Sequence, residues 1–302
     1  MAYDINSIES LSFREGVRTR IQMYLGSDDN EGTYQALKEI INNSTDEALA
    51  GYGKRIDIML NEKENSICVR DYGRGVPFGI REDGENVLVS IFTKSHTGGK
   101  FSHDVYKNAS GLNGIGGSCV CLSSKQFEVQ SIRNKKKAIA QFEKGELVNY
   151  KEVYPVNEKD GTFIYFIPDP EVFSNGEIGY SYERICSDIK DISYLYPGIE
   201  FEVANVTGIK ATNIKKYKAE NGIIDFVKDN VSTPLQKHII TSSASNGTDS
   251  IEIAFQWGTK KETPYVFVNG LRCPELGTPI TGARAAITKT FNSLANENFD
   301  GE

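Results

Sequence analysis

Ile56 to Pro77, IDIMLNEKENSICVRDYGRGVP, decides how the first part of the chain folds. Ile56, Ile58 and Leu60 alternate with other residues, a polar turn runs from Glu62 to Asn65, and Ile67 and Val69 resume the alternation. A period of two on both sides of a polar turn predicts a β-hairpin with one buried face. Asp71 shares the parity of Ile67 and Val69, which directs its carboxylate toward that buried face, where an acid group needs partners. Gly73-Arg74-Gly75-Val76-Pro77 follows at once, a turn whose glycines let something flat approach the backbone. A buried acceptor beside such a turn suits a donor such as an exocyclic amine. A strand-end aspartate capping its own turn is the equal alternative on these residues alone.

Upstream, Tyr34 to Ala50 has helical spacing, with Leu37, Ile40, Ile41, Ser44 and Ala48 on an apolar side and Gly51 and Gly53 as stop signals. Glu39, Asn43, Asp46 and Glu47 fall at i, i+4, i+7 and i+8, so they line one face. The plain expectation for that face is solvent. Asn43, one turn beyond a carboxylate, opens a second reading in which the pair holds a water and an oxygen-seeking Mg²⁺ side by side.

Downstream, Gly98-Gly99-Lys100 and Gly111-Leu112-Asn113-Gly114-Ile115-Gly116 lead into the apolar run Cys119 to Leu122, a pattern for phosphate held at glycine-rich backbone before a helix. No strand precedes these glycines within a βαβ unit, so the dinucleotide-binding pattern is not met. Strands are expected at Phe127–Ile132, Ala138–Glu143 and Thr162–Phe166, a hairpin-built α+β arrangement. The polar, lysine-rich stretch Lys210 to Asn221 is expected to interrupt the pattern, which places a domain boundary near Lys218. Beyond it, Gly222–Asp229 and Gly282–Asn292 are expected as helices and Ser250–Trp257 and Pro264–Asn269 as strands.

The chain has 302 residues, 34 basic and 41 acidic, for a net charge of −7. That balance excludes a polybasic wrapper of nucleic acid, and 39% hydrophobic with 25% charged residues fits a globular chain of about two domains. No run of about 18 apolar residues exists and the start lacks a signal-peptide pattern, so a cytoplasmic protein is expected. Cys68, Cys119, Cys121, Cys186 and Cys273 are odd in number and lack partners at ligand spacing, which predicts free structural thiols.

Taken together, Glu39…Asn43…Asp71-x-Gly73-x-Gly75…Gly98-Gly99-Lys100…Gly111-x-x-Gly114-x-Gly116…Gly161-Thr162 resembles the ATPase superfamily shared by gyrase, heat-shock chaperones, histidine kinases and MutL repair proteins. Arg20 to Gly26, Asp46 to Gly51, Ser95 to Phe101 and Gly277 to Ala286 make it similar, within that superfamily, to the ATPase region of bacterial type IIA topoisomerase B subunits, gyrase or topoisomerase IV. The resemblance implies a two-layer α/β sandwich of the Bergerat type over residues 1–217, with an N-terminal dimerisation arm, and a partial α/β transducer domain over 218–302. It implies Glu39 as general base, Asn43 as Mg²⁺ ligand and Asp71 as acceptor for the adenine amine, with Thr162 assisting through a water. Lys100 and the backbone of Leu112 to Gly116, with Gly111, would hold phosphates, and Tyr106 would lie near the adenosine. The resemblance also implies that Glu47, Gly75 and Pro77 belong to the nucleotide site and Arg74 and Arg133 to its rim, and that Tyr3 would reach the partner's site in a homodimer. The cofactors implied are ATP and Mg²⁺, and the partners are an A-type cleavage subunit and a DNA duplex, with no membrane.

The chain departs from the family pattern at Gln35, where a histidine usually precedes the general base by one turn, and at Asn42, Ile21-Gln22 and Asn113. Gln35 implies that help for Glu39 comes from elsewhere. The family's transducer lysine loop and metal-binding cleavage region are not found before Glu302, so a fragment of a longer subunit with weak hydrolysis is expected. The alternatives are a MutL-like repair clamp and an ATP-binding switch without turnover. Arg133 to Lys137 is by default a solvated turn and otherwise a phosphate contact. Lys210, Lys215, Lys216 and Lys218 are the better candidates for a DNA-facing wall.

Overall fold

Ile56 to Asp71 folds as its alternation predicts. Strands β1 (Arg55–Asn61) and β2 (Ser66–Asp71) pair antiparallel, with Ile58 opposite Val69 and Ile56 opposite Asp71. The structure, a computed structural model, describes residues 10–95, 97, 114–175, 179–208, 210–247, 249–261, 263–268, 270–273 and 275–299. The chain divides into two compact units, 1–219 and 220–302.

In the first unit the hairpin lies inside an eight-stranded sheet with β3 (Ser124–Arg133), β4 (Lys136–Glu143), β5 (Glu146–Val153), β6 (Gly161–Pro168), β7 (Glu200–Thr207) and β8 (Lys210–Tyr217). The order is β5-β4-β3-β6-β2-β1-β7-β8, and every pairing is antiparallel except β1 with β7. Register aligns Ala140, Val129, Ile164, Val69, Ile58 and Val203 in one row across six strands. A second row runs through Phe142, Phe127, Phe166, Ile67 and Leu60. All of these are buried, and each side chain larger than alanine contributes about 1.5–3 kcal/mol by leaving water.

Helices cover this face. They are α1 (Phe13–Thr19), α2 (Gln22–Leu25), α3 (Asn30–Leu49), α4 (Val87–Thr93), α5 (Gly116–Leu122) and α6 (Tyr182–Leu195). Helix α3 packs on β1, β2 and β6, α5 on β3, and α6 on β7 and β8. The sheet's other face carries a charged ladder in which Arg55 binds Asp57 and Glu202, and Lys216 binds Glu202. One covered face and one polar face make the two-layer α+β sandwich that the resemblance implies.

Three expectations are corrected. Helix α3 begins at Asn30, four residues before Tyr34, because the Asp29 carboxylate accepts the Glu31 N–H and caps it. Its acidic side is not a solvent face: Asp46 is buried, and Glu39, Asn43 and Glu47 are half-buried. Lys210 to Tyr217 does not interrupt the sheet but closes it as edge strand β8, pairing Phe201 with Tyr217. Its side chains from Lys210 to Lys216 are exposed, so no period-two signal marks it.

The second unit holds α7 (Ile223–Asn230), the hairpin β9 (Ile240–Ser245) and β10 (Ser250–Phe255), the short pair β11 (Phe267–Val268) and β12 (Leu271–Arg272), and α8 (Gly277–Phe299). Phe226 of α7 is buried against the rings of Tyr265 and Phe267. No helix among the described residues is long and apolar enough to cross a membrane.

Candidate nucleotide site

The apolar face of the sheet turns polar in a single row. Ala138 pairs with Ser131, Ser131 with Thr162, and the Thr162 N–H donates to Asp71 Oδ1 at 3.1 Å. The Gly73 N–H donates to the same oxygen at 2.9 Å. Asp71 is 7% exposed, and its burial raises its pKa above the usual aspartate range while the two N–H donors pull it back. Both donors use Oδ1, and neither uses Oδ2.

Glycines define the backbone here because no larger residue fits. A Cβ on Gly161, at φ +140°, would lie 2.2 Å from the Asp71 carbonyl oxygen. One on Gly73 would lie 2.3 Å from Glu47 Cγ, so Glu47 of α3 and the turn after β2 touch only because residue 73 lacks a side chain.

Glu47 then grips Arg74. Its Oε1 accepts the Arg74 backbone N–H at 2.9 Å and Nε at 2.8 Å, and its Oε2 accepts Nη2 at 2.9 Å. The other side of the guanidinium lies 3.8 Å from the centroid of the Tyr52 ring. Across the turn Arg133 Nη1 donates to the Gly75 carbonyl at 2.8 Å and Ser131 Oγ to the Val76 carbonyl at 2.6 Å. Gly75 and half-buried Val76 are thereby tied to β3, while Pro77 is exposed.

Glu39 and Asn43 lie two turns and one turn upstream of Glu47 on α3. Gln35 Nε2 donates to Glu39 Oε1 at 3.0 Å. This corrects the expectation about Gln35: the residue one turn before the carboxylate does hold it, through an amide. The other Glu39 oxygen faces the start of α5, where a Cβ on Gly116 would lie 2.2 Å from Oε2. A Cβ on Gly117 would lie 3.9 Å from Asn43 Nδ2. Gly114 (φ +61°) and Ile115 lead directly into this helix. The carboxylate also acts on its surroundings: burial, and to a lesser degree the Glu39 charge, push the Cys119 thiol up to about 12.

Glu39, Asn43, Glu47, Asp71, Arg74, Gly75, Pro77, Gly114, Ile115, Gly116 and Thr162 are thus on described elements around the α3, α5 and β2–β6 junction. Tyr3, Lys100, Tyr106, Gly111, Leu112 and Asn113 lie outside the described residues. Sequence reading missed Ser131 and Tyr52. Strand parity with Val129 marks Ser131 as inward, whereas nothing local marks Tyr52. None of the five cysteines is joined in a disulfide, and no cluster of three or more His, Cys, Asp or Glu able to hold a metal occurs among the described residues. The donors present, one carboxylate and one amide a turn apart beside a glycine-led helix, fit Mg²⁺ that takes its remaining ligands from phosphate and water.

Residues 28–171 match the family model described as histidine kinase-, DNA gyrase B-, and HSP90-like ATPase, and residues 222–300 match that of DNA gyrase B. The DNA topoisomerase 4 B protein of Enterococcus faecalis is 34% identical over 98% of this chain and 43% of its own length. The DNA gyrase B protein of Streptococcus pyogenes is 33% identical over 98% of this chain and 46% of its own. The chain therefore spans less than half the length of these curated relatives. A crystal structure of the 43K ATPase domain of Thermus thermophilus gyrase B, in complex with an aminocoumarin, superposes with a TM-score of 0.78 at 26% identity, over 96% of this chain and 75% of that one.

Proposed function

The chain belongs to the gyrase B and topoisomerase IV B family, and on that premise we propose that its first unit binds ATP with Mg²⁺ and hydrolyses it to drive closure of a type II topoisomerase gate. The observation that carries the reading is Glu39, held by Gln35 on one oxygen and facing the glycine start of α5 with the other. A carboxylate fixed in that way at the mouth of a phosphate-binding loop is suited to take a proton from an attacking water.

Asp71 receives the adenine amine on Oδ2, while the Gly73 and Thr162 N–H groups hold Oδ1 and so fix the carboxylate's orientation. Glu47 holds Arg74 at the rim through its forked bonds. Asn43 supplies an amide oxygen to Mg²⁺, which when bound neutralises charge on the phosphate oxygens. On the family resemblance alone, Lys100 and the backbone from Gly111 to Gly116 are assigned to the phosphates and Tyr106 to the adenosine. In the complete protein, nucleotide binding brings two copies together, Tyr3 of each arm reaching the other's site. The second unit is assigned to the transducer, and an A-type cleavage subunit with duplex DNA completes the machine.

The test is Glu39→Ala. ATP hydrolysis, followed by phosphate release, should fall at least about 100-fold, while calorimetric nucleotide affinity stays within a few-fold. Unchanged hydrolysis would overturn the assignment.

A further inference from the structure

We propose that the turn between β3 and β4, Asn134-Lys135, is a contact for the phosphate backbone of duplex DNA. A conformational observation carries it. The two strands pair to their ends, Arg133 opposite Lys136, which leaves a two-residue loop with φ of 50° at Asn134 and 64° at Lys135. A loop with both central residues left-handed is the type I′ turn, in which asparagine is favoured first and glycine second. The adjacent hairpin follows that rule: Glu143 pairs with Glu146, and the loop between them is Lys144 at 50° and Gly145 at 80°. Two consecutive hairpins of one sheet thus use the same turn, and only the first keeps a lysine where glycine is the relaxed choice. A left-handed lysine is sterically costly, and such strain persists where the side chain has a use.

The surroundings give that use a chemical class. Four of the five residues from Arg133 to Lys137 are basic, in a chain of net charge −7. The Asn134 N–H donates to Asp160 Oδ2 and Arg70 to the Lys159 carbonyl, which brings residues 158–160 beside the tip. The local acids are partly occupied: Glu158 is paired with Lys137 at 2.8 Å, and Asp160 takes the Asn134 N–H. Lys135, Lys151 and Lys159 are exposed, and none has an acidic partner among the described residues. Tyr154, 68% exposed, offers its ring to the Lys136 ammonium at 5.8 Å. Unmatched ammonium groups beside an exposed ring suit a polyphosphate backbone.

The rival lysines of β8 are better matched. Lys216 lies 3.4 Å from Glu200 and 3.0 Å from Glu202, and Lys215 lies over the Tyr182 ring. The proposal rests on reading the chain as part of a DNA topoisomerase.

The test exploits the strain. Binding of a labelled mixed-sequence DNA duplex to the 302-residue chain is measured by fluorescence anisotropy over a salt series, for the wild type, Lys135→Gly, and Lys135→Gly with Lys151→Ser. Lys135→Gly should raise the melting temperature by about 2–4 °C, since glycine relaxes the turn. The same substitution should weaken DNA binding about 3–10-fold and lower the slope of log affinity against log salt by about 1, and the double variant by about 2. A lysine kept for stability alone moves both readouts in the same direction, which would overturn the proposal. So would unchanged DNA affinity or no wild-type binding at low salt. ATP hydrolysis without DNA is followed in the same samples. Its absence in the wild type would strike the nucleotide reading and leave the DNA measurement interpretable.

Discussion

At the Asp71 end of the candidate site the contacts come from backbone: two N–H groups hold one oxygen, and glycines 73 and 161 give the chain its path. At the Glu39 end they come from side chains on helices, the Gln35 amide on one oxygen and a close approach to Gly116 on the other. Backbone donors are independent of residue identity, whereas a side-chain donor is replaced by a single substitution. The end that would recognise a base is therefore fixed by the fold, and the end that would move a proton is adjustable. The departure from the family pattern at Gln35 falls at the adjustable end, as this difference leads one to expect.

Gly161→Ala tests the fixed end most severely. Its Cβ has no room beside the Asp71 carbonyl, at a φ that L side chains rarely adopt. The expected outcome is loss of nucleotide binding with a stability loss of about 3 kcal/mol or more in urea unfolding. A folded, nucleotide-binding variant would break the comparison.

Asp71→Asn keeps the shape and reverses one hydrogen-bonding edge, so a ligand amine meets a donor. Calorimetric ATP affinity should fall by about 30–150-fold, the equivalent of ~2–3 kcal/mol. For the unsubstituted chain, the raised pKa of Asp71 sets the direction of the pH dependence. Acidification protonates this acceptor before ordinary aspartates, so affinity should weaken at a pH above their range and recover as pH rises.

Gln35→Leu probes the adjustable end and should have the smallest effect. Glu39 loses one donor but keeps its place against Gly116, so kcat should drop about 10-fold, ~1.4 kcal/mol, with KM nearly unchanged. A KM change in place of a kcat change would move Gln35 from the proton-moving end to the binding end.

How much of this is legible in the sequence depends on where the determining contact lies along the chain. The β1–β2 hairpin, the inward carboxylate of Asp71 and the helix carrying Glu39 announce themselves through local periodicity. Strands β5 and β8 do not, because each is an exposed sheet edge with few inward residues, and an alternation needs one face buried. Helix α3 misleads for the opposite reason: it is enclosed on several sides, so its acidic residues read as a solvent face although Asp46 is buried. The Tyr52 ring under Arg74 and the tie from Arg133 to the Gly75 carbonyl join residues 22 and 58 positions apart. No local pattern encodes either.

The one parallel pairing among the described strands bears on how the chain is made. Strand β1 receives its second neighbour from residues 200–205, about 140 positions later. At a synthesis rate of about 5–20 residues per second, a ribosome takes about 7–30 s to deliver that partner. During this interval the nascent hairpin exposes the backbone edge of β1 to mispairing. Parallel closure over so long a loop is also intrinsically slow, so the β1 edge stays open to mispairing while residues 62–200 are made.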